Sequence, residues 1–114
     1  MAKDIHVIGD AIQVAPAMPK SGHMANNHGK VAAAAIVAQL SGWDVNPAPM
    51  LTNTCYSFVD NKNVIHVASV HEYVAAEKTF KAVAGSGGVS TGPTELEGVY
   101  ALNWASNIWA DTLA

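Results

Sequence analysis

The chain has 114 residues, of which 50% are hydrophobic and only 13% are charged, and its net charge at pH 7 is −3. This length predicts one small domain or a part of a larger one, and the low charged fraction predicts surface that another polypeptide segment covers. The six basic residues, all of them lysines, are scattered, which argues against nucleic acid as a partner. The longest apolar run, Val31–Ala38, is too short for the ~20 residues of a transmembrane segment. The first residues lack the features of a signal peptide, so any export signal is expected elsewhere.

The first predicted element is a β-strand at Ile5–Ile8, because this apolar run is typical of a strand buried on both faces of a parallel sheet. Asp10 follows it directly. Open α/β sheets bind ligands at the carboxyl ends of their strands, so Asp10 is a candidate to accept a hydrogen bond from a sugar or ribityl hydroxyl. A turn residue or an N-cap is the alternative, which the spacing alone favours. Lys20, in the proline-containing loop that follows, fits a solvated surface lysine better than a ligand-binding one.

A long helix is predicted from Ser21 to Leu40, with Ser21 as its N-cap and Gly42 as its C-cap. Because glycine costs helix stability, Gly29 indicates that a backbone or a flat ligand lies close to it. The free N–H groups at the helix start suit an anion or an electron-rich heterocycle, although every helix has such an end. Two prolines at 47 and 49 then mark a boundary. The predicted buried stripe of the helix comprises Ala25, Gly29, Ala32, Ile36 and Leu40.

The second half of the chain is predicted to form a small antiparallel sheet and a last helix. Residues 51–59 and 64–74 favour strands, the polar residues 60–63 join them as a hairpin, and residues 78–83 form a weaker third strand. Residues 85–93 are predicted to be a flexible connection. The last helix begins at Thr94, where "TELE" matches a capping box with Glu97, and ends near Leu113. Its predicted apolar face, which assigns Trp104 to the core and leaves Trp109 outside it, comprises Leu96, Tyr100, Trp104 and Ile108.

Cys55 is the single cysteine, so its thiol is either inert or completed by another chain segment. Alternation along a strand predicts that Cys55 shares a face with Asn53 and Ser57, a polar setting that suits a thiolate. The pattern alone nevertheless favours a small buried residue over a nucleophile. No metal site is predicted, since zinc-motif spacing is missing among the five histidines, His6, His23, His28, His66 and His71.

Six segments in order, over essentially the whole chain, resemble the C-terminal part of the flavoprotein subunit of flavocytochrome c sulfide dehydrogenase. They are "HVIGDA", "AMPKSG", "HGKVAAAAIV", "NTCYSFV", "GGVS" and "YALNWASNIWADTL". The resemblance implies a member of the FAD/NAD(P)-binding flavoproteins, similar to sulfide:quinone oxidoreductases. The implied fold is an α+β fragment: a β-loop-α piece of a Rossmann-like FAD-binding domain (1–45), then a domain (46–114) with a small antiparallel sheet and a C-terminal helix.

The resemblance also implies roles for individual residues. Asp10 would hydrogen-bond the FAD ribityl chain, and the helix after the AMPKSG loop would place Gly22, His23 and Met24 near the isoalloxazine. Cys55 would be one half of a redox-active disulfide, which reverses the conclusion drawn from the pattern alone. Two further residues are counted with the cofactor-binding set on the same grounds, Lys20 and Trp104.

The implied activity is oxidation of sulfide through this disulfide and FAD, with electrons passed to a c-type cytochrome subunit that carries heme c, in the periplasm. The family's second redox cysteine and a G-x-G-x-x-G phosphate loop do not occur in these 114 residues. We therefore expect an N-terminal FAD-binding portion or chain to supply them, and we expect the 114-residue chain alone to be inactive and to hold no FAD. A sulfide:quinone oxidoreductase-like fragment and a noncatalytic interaction module are the alternatives.

The chain departs from the resemblance at two places. It reads "GHMANNHGK" at 22–30, where relatives tend to read "GYSANSQGK", and it has Ala105 where they have an aromatic residue. Both departures concern the expected flavin environment and the route by which electrons leave it.

Overall fold

The computed structural model describes residues 4–13 and 15–113 and shows the predicted α+β fold. A 3₁₀ turn precedes a long helix, and a four-stranded antiparallel sheet is followed by a second helix. In chain order the elements are the 3₁₀ turn Gly9–Ala11, α1 Gly22–Ser41, β1 Met50–Phe58, β2 Val64–Val74, β3 Thr79–Ala82, β4 Gly88–Val89 and α2 Glu95–Leu113.

The predicted hairpin of β1 and β2 is confirmed, with Met50 opposite Glu72 at one end and Phe58 opposite Val64 at the other. Asp60 closes its turn, because its carboxylate accepts hydrogen bonds from the backbone N–H groups of Asn63 (2.7 Å) and Lys62 (2.9 Å). These bonds favour the ionised carboxylate and lower the pKa of Asp60. β1 therefore enters the sheet in a single fixed register.

β2 is the central strand of the sheet, with β1 on one side and both β3 and β4 on the other. The third strand was predicted, but the assignment of residues 85–93 to a flexible connection was wrong at β4. Gly88 pairs with Ala68, and Val89 pairs with Val67. β3 is too short to pair with the whole of β2, and β4 bonds some of the remaining backbone groups of β2. A strand of only two residues leaves no recognisable pattern in the sequence.

The ends of α1 are those that the sequence predicts. The Ser21 hydroxyl accepts a hydrogen bond from the Met24 N–H (3.1 Å), and Gly42 ends the helix in the left-handed conformation (φ 70°). The predicted buried stripe was wrong in its second half, since Ile36 is 37% exposed and Leu40 is 85% exposed. The buried residues of the helix are Met24, which lies in its first half and in the core, and Ala38 in its second half. The hydrophobic core comprises Ala15, Met18, Met24 and Leu51, with Ile12, Val31 and Phe80 packed against it.

α2 begins where the capping signal predicts, since the Thr94 hydroxyl accepts a hydrogen bond from the Glu97 N–H (3.1 Å). Its predicted apolar face was wrong in its first half, because Leu96 and Tyr100 are 58% and 50% exposed. The buried residues at this level are instead Gly98 and Ala101. The smallest side chains of α2 allow it to lie directly on the hairpin, which amphipathic periodicity does not foresee.

The predicted strand at Ile5–Ile8 was wrong. These residues are exposed and form no strand, although the backbone of Ile8 is extended (φ −131°, ψ 170°). A parallel strand needs a neighbouring strand to bond its N–H and C=O groups, and none of the described residues supplies one here. The following turn is instead fixed to α1, because the Gly9 N–H donates to His28 Nδ1 (3.1 Å).

Neither helix of the described chain is long and apolar enough to cross a membrane.

His71 gives the fold a predictable response to acid. Its side chain is fully buried, its Nε2 lies 3.0 Å from the Ser69 hydroxyl, and its Nδ1 has no hydrogen-bond partner among the described residues. Burial lowers the pKa of His71 from its ordinary value of 6.5, because the charged ring would lose its hydration. Burial lowers the pKa of His28 in the same way.

We expect the free energy of unfolding to decrease as the pH falls from 7.5 to 5.5, because unfolding then takes up a proton at each of these histidines. One such group contributes at most about 1.4 kcal/mol per pH unit. The measurement is urea unfolding across this range for the wild type and His71→Leu. The variant should show a shallower pH dependence, and an unchanged slope would contradict the account. Asp60, Glu97 and Asp111 do not interfere, because their lowered pKa values confine their effect to lower pH.

Candidate functional site

The start of α1 lies against the edge of the sheet at β1. His23 Nδ1 accepts a hydrogen bond from the Thr54 N–H (3.0 Å), and Asn27 Oδ1 accepts a longer one from the Thr52 N–H (3.5 Å). These two N–H groups point away from β2, so α1 supplies the partners that an edge strand otherwise lacks. The contacts fix the register of the helix against β1 and place its N-terminus beside the middle of that strand.

The first turn of α1 has an open side. Gly22 is exposed, and a Cβ added to it would meet no atom within 4 Å. No acidic side chain lies in this turn, and the N–H groups of Gly22 and His23 have no partner among the described residues. Met24 differs from the other two residues predicted near the ring, because its side chain is 1% exposed in the core and its N–H is bound to Ser21.

Cys55 is joined to this helix start through Asn53. The Asn53 side chain is buried (3% exposed), its Nδ2 donates to Cys55 Sγ (3.4 Å), and its Oδ1 accepts from the Ser21 hydroxyl. Cys55 itself is partly buried and carries a free thiol. The structure therefore brings together the predicted cysteine and the N-terminus of α1. In the sequence Asn53 is only a polar neighbour of Cys55, and the signal that could have singled it out is an amide two residues before the cysteine on the same strand face.

Asp10 and Lys20 lie together on another side of α1. Asp10 is exposed in the 3₁₀ turn, and Lys20 Nζ donates to its backbone carbonyl (3.1 Å). With His28 they line a small cavity of about 10 Å³ that also borders Met24. The Asp10 carboxylate has no partner among the described residues. That exposure suits both a residue that binds a ligand hydroxyl and an ordinary turn residue.

An open, mainly apolar groove of about 930 Å³ runs between α1 and α2. Small residues form the α1 side, including Gly22, Ala25 and Gly29, and Trp104 with Ile108 forms part of the α2 side. The predicted backbone neighbour of Gly29 is not found among the described residues, since an added Cβ would meet only the Ile8 side chain, with Cδ1 at an ordinary 4.0 Å. The flat ligand at this glycine remains a prediction. The groove has the volume for a planar ring system, and the small residues on its α1 side leave room for one.

Polar contacts at the edge of the groove hold the two helices together. Lys30 forms a salt bridge with Asp111 (2.9 Å), and Asn26 Nδ2 donates to the same carboxylate (2.9 Å) and to the hydroxyl of Thr112 (3.2 Å). The hydrogen bonds from Lys30 and Asn26 lower the pKa of Asp111. The contacts fix the second half of α2 relative to the start of α1.

Trp104 belongs to a cluster of rings that joins α1, the sheet and α2. Its ring centroid lies 5.8 Å from that of His23 and 6.0 Å from that of Tyr56, and both contacts are tilted. Tyr56 in turn contacts His66 at 6.2 Å. Burial, followed by the nearby Glu97 carboxylate, raises the pKa of Tyr56. Trp104 is thus partly packed, as predicted for a core residue, while its remaining surface borders the groove.

A polar cluster of Ser90, His66 and Glu97 lies at the other end of these rings. The Ser90 hydroxyl donates to Glu97 (2.6 Å), and His66 Nδ1 lies 3.0 Å from the same carboxylate. The Ser90 bond and, to a smaller extent, His66 lower the pKa of Glu97. The three side chains hydrogen-bond one another, so the cluster holds β4 and α2 on β2. Across the described residues, no group of three or more His, Cys, Asp or Glu could hold a metal ion.

Comparison with known families decides which site this is. A family model described as "Flavocytochrome c sulphide dehydrogenase, flavin-binding" matches residues 47–113, which is more than half of the chain and runs from before β1 to the end of α2. The chain belongs to this family. Of the predicted site residues, Cys55 and Trp104 lie inside the matched range, whereas Asp10, Lys20 and the first turn of α1 precede it.

The groove and the first turn of α1 have features that would suit a flavin. An isoalloxazine is flat and largely apolar but carries an electron-rich pyrimidine edge, so it needs a smooth apolar wall and hydrogen-bond donors at one end. The small residues of α1 in the groove would form such a wall, and the open first turn would offer the N–H groups of Gly22 and His23 as donors. The positive end of the 20-residue helix dipole would also stabilise negative charge placed there.

Proposed function

We propose that this chain is the C-terminal segment of an FAD-dependent sulfide dehydrogenase that oxidises sulfide through a redox disulfide and passes the electrons to a c-type cytochrome. The observation that carries the proposal is the position of Cys55. The single cysteine of a flavocytochrome c sulfide dehydrogenase family member lies beside the open N-terminus of α1 and is hydrogen-bonded to it through Asn53.

The residues of this chain would divide the work of holding the cofactor. Asp10 would accept a hydrogen bond from a ribityl hydroxyl, and Lys20 would hold the Asp10 backbone in place, as it does in this structure. Gly22 and His23 would donate N–H groups to the pyrimidine edge, while Trp104 would cover part of the groove. When bound, FAD supplies an acceptor that takes two electrons together and releases them singly.

Cys55 would form the disulfide with a second cysteine outside these 114 residues. Hydrosulfide attacks one sulfur of the disulfide and forms a new S–S bond to it, and the other sulfur leaves as a thiolate with the electron pair of the broken bond. The product is one persulfide and one thiolate, which together hold the two electrons that sulfide has given up. Partial burial of Cys55 would keep bulkier thiols from reaching this disulfide.

The proposal includes the partners that this reaction needs. The FAD phosphates and the second cysteine would come from an N-terminal FAD-binding portion, and heme c would reside on a cytochrome subunit and not on this chain. The family name describes a flavocytochrome and so supports a cytochrome as the electron acceptor. A periplasmic location completes the proposal.

Anaerobic stopped-flow spectroscopy of the complete flavoprotein tests this function. Sulfide is expected to bleach the flavin absorbance, and a c-type cytochrome is expected to restore it faster than a soluble quinone does. Dithionite serves as the control for a reducible flavin. A flavin that dithionite bleaches and sulfide does not would refute sulfide oxidation, and faster reoxidation by the quinone would refute the assigned acceptor.

A further inference from the structure

Asn53 completes a line of hydrogen bonds that begins on the backbone of α1 and ends on a sulfur atom. The Met24 N–H donates to the Ser21 hydroxyl (3.1 Å), the Ser21 hydroxyl donates to Asn53 Oδ1, and Asn53 Nδ2 donates to Cys55 Sγ (3.4 Å). Every group gives its hydrogen in the same direction, toward Cys55. The line starts at the positive end of the helix, where backbone N–H groups are not used within the helix itself.

This direction has an electrostatic consequence at the sulfur. Hydrogen bonds that follow one another in a chain polarise each other, so each donor becomes stronger when it also accepts. Only 3% of the Asn53 surface is exposed, so water competes little for its amide. Through this line, part of the positive potential of α1 would reach Cys55.

The orientation of the Asn53 amide is fixed by Ser21. The Ser21 hydroxyl oxygen already accepts the Met24 N–H, so its single hydrogen is free to donate to Oδ1 of Asn53. With Oδ1 taking the Ser21 hydrogen, Nδ2 is the amide group that remains to face Cys55. The N–H group of Asn53 is consequently directed at Cys55.

We propose that Asn53 is a positioning residue that stabilises the thiolate form of Cys55 and couples it to the N-terminal cap of α1. Its relevance to catalysis rests on the proposed function, in which Cys55 passes between disulfide, thiol and thiolate. The stabilisation itself is a property of the 114-residue chain and is open to test without FAD or a second cysteine.

Asparagine suits both protonation states of the neighbouring sulfur. The thiol can donate to Oδ1 at 3.7 Å, and the thiolate can accept from Nδ2 at 3.4 Å, without movement of either side chain. Leucine offers neither group, and aspartate would place a second negative charge beside the thiolate. Replacing Asn53 therefore changes the chemistry of Cys55 in a defined direction.

The test is the reaction of the isolated chain with 4,4′-dithiodipyridine, followed over a range of pH. The Cys55 thiolate attacks one sulfur of the reagent, a mixed disulfide forms, and thiopyridone leaves with the electron pair. A hydrogen bond to a charged group shifts such an equilibrium by about tenfold or more, so Asn53→Leu should lower the thiolate fraction at pH 7 by about that factor. The less stabilised thiolate is also more nucleophilic, with a Brønsted coefficient of about 0.4–0.5, so the net rate at pH 7 should fall only about threefold.

The same coefficient predicts the opposite change at high pH. Once Cys55 is fully ionised in both proteins, Asn53→Leu should react about threefold faster than the wild type. The two pH profiles therefore cross. A substitution that merely changed access to the sulfur would multiply the rate by one factor at every pH, and parallel profiles would overturn the proposal.

Three further variants keep the test decisive. Ser57→Ala is the matched control. Ser57 lies on the same face of β1, two residues after Cys55 as Asn53 lies two residues before it, and its replacement should leave the pH profile unchanged. Ser21→Ala breaks the line of hydrogen bonds one step before Asn53 and should move the profile in the same direction as Asn53→Leu but less far, whereas Ser21→Thr should keep the wild-type profile.

If Asn53→Leu does not fold, an unchanged profile for folded Ser21→Ala would itself overturn the proposal. A crossing profile combined with a failure of sulfide to bleach the flavin would leave this hydrogen bond established and the proposed function refuted.

Discussion

Replacement of Cys55 by serine is expected to abolish sulfide-dependent reduction of the flavin in the complete flavoprotein while leaving the fold intact. A serine cannot form the disulfide that hydrosulfide attacks. The first step of the proposed reaction is therefore lost completely and is not merely slowed. The substitution changes the side-chain volume little. Serine also retains a donor and an acceptor for the Asn53 amide, which keeps the connection to α1.

The comparison is anaerobic stopped-flow bleaching of the flavin by sulfide, with dithionite as the control for an intact flavin site. We expect wild-type bleaching by dithionite and bleaching by sulfide that is slower by at least three orders of magnitude, on the scale of losing a catalytic nucleophile. Ser57→Ala supplies a matched substitution on the same strand face. If the serine variant is bleached by sulfide at the wild-type rate, Cys55 only fills space.

Replacement of Gly98 by alanine is expected to destabilise the chain strongly, although alanine is the better helix former. A Cβ at this position would lie 2.2 Å from the carbonyl oxygen of Lys62 and 3.7 Å from Val64 Cγ2. The carbonyl belongs to the backbone of the hairpin turn, so the clash is relieved only if α2 moves away from β2. Overpacking of this kind costs about 1–3 kcal/mol or more, which exceeds the gain of about 1 kcal/mol in helix propensity.

Gly29→Ala is the matched control for this prediction. It is also a glycine-to-alanine change inside a helix, but its Cβ would meet only Ile8 Cδ1, at an ordinary 4.0 Å. Urea unfolding followed by circular dichroism should therefore show opposite signs, with a lower free energy of unfolding for Gly98→Ala and an unchanged or higher one for Gly29→Ala. A stabilised Gly98→Ala would mean that α2 does not lie on the hairpin as described.

The elements that the sequence predicted correctly are those whose signals are local. Ser21 and Gly42 define the ends of α1 through cap chemistry, Thr94 does the same for the start of α2, and Asp60 closes the β1–β2 turn. Each of these residues bonds to backbone within a few positions of itself. Local signals of this type survive whatever the rest of the molecule does.

The errors concern which surface each element buries. Ile5–Ile8 has the composition of a buried strand but finds no sheet to join among the described residues, and the second half of α1 buries Ala38 while it leaves the predicted Ile36 and Leu40 exposed. In α2, Gly98 and not Leu96 lies against the β1–β2 hairpin, because a close contact between the two backbones leaves no room for a large side chain. Burial depends on tertiary neighbours, which hydrophobic periodicity cannot identify.

The candidate site divides in the same way. The importance of Cys55 followed only from the family resemblance, since the strand pattern favoured a small buried residue. The link from Cys55 to Ser21 could not be predicted, because the two residues lie 34 positions apart and Asn53 connects them only after α1 has docked on β1. The domain division at residue 46 and the roles of the individual cofactor-binding residues remain predictions.

Disulfide mapping of the complete, FAD-loaded flavoprotein tests the central claim most directly. The oxidised enzyme is digested without reduction and analysed by mass spectrometry, before and after one equivalent of sulfide under anaerobic conditions. We predict that the peptide containing Cys55 is cross-linked to a second cysteine before sulfide is added, and that after sulfide has bleached the flavin the two cysteines hold one additional sulfur atom between them. A free Cys55 thiol in the oxidised, fully loaded enzyme would contradict the claim that this residue carries the redox chemistry.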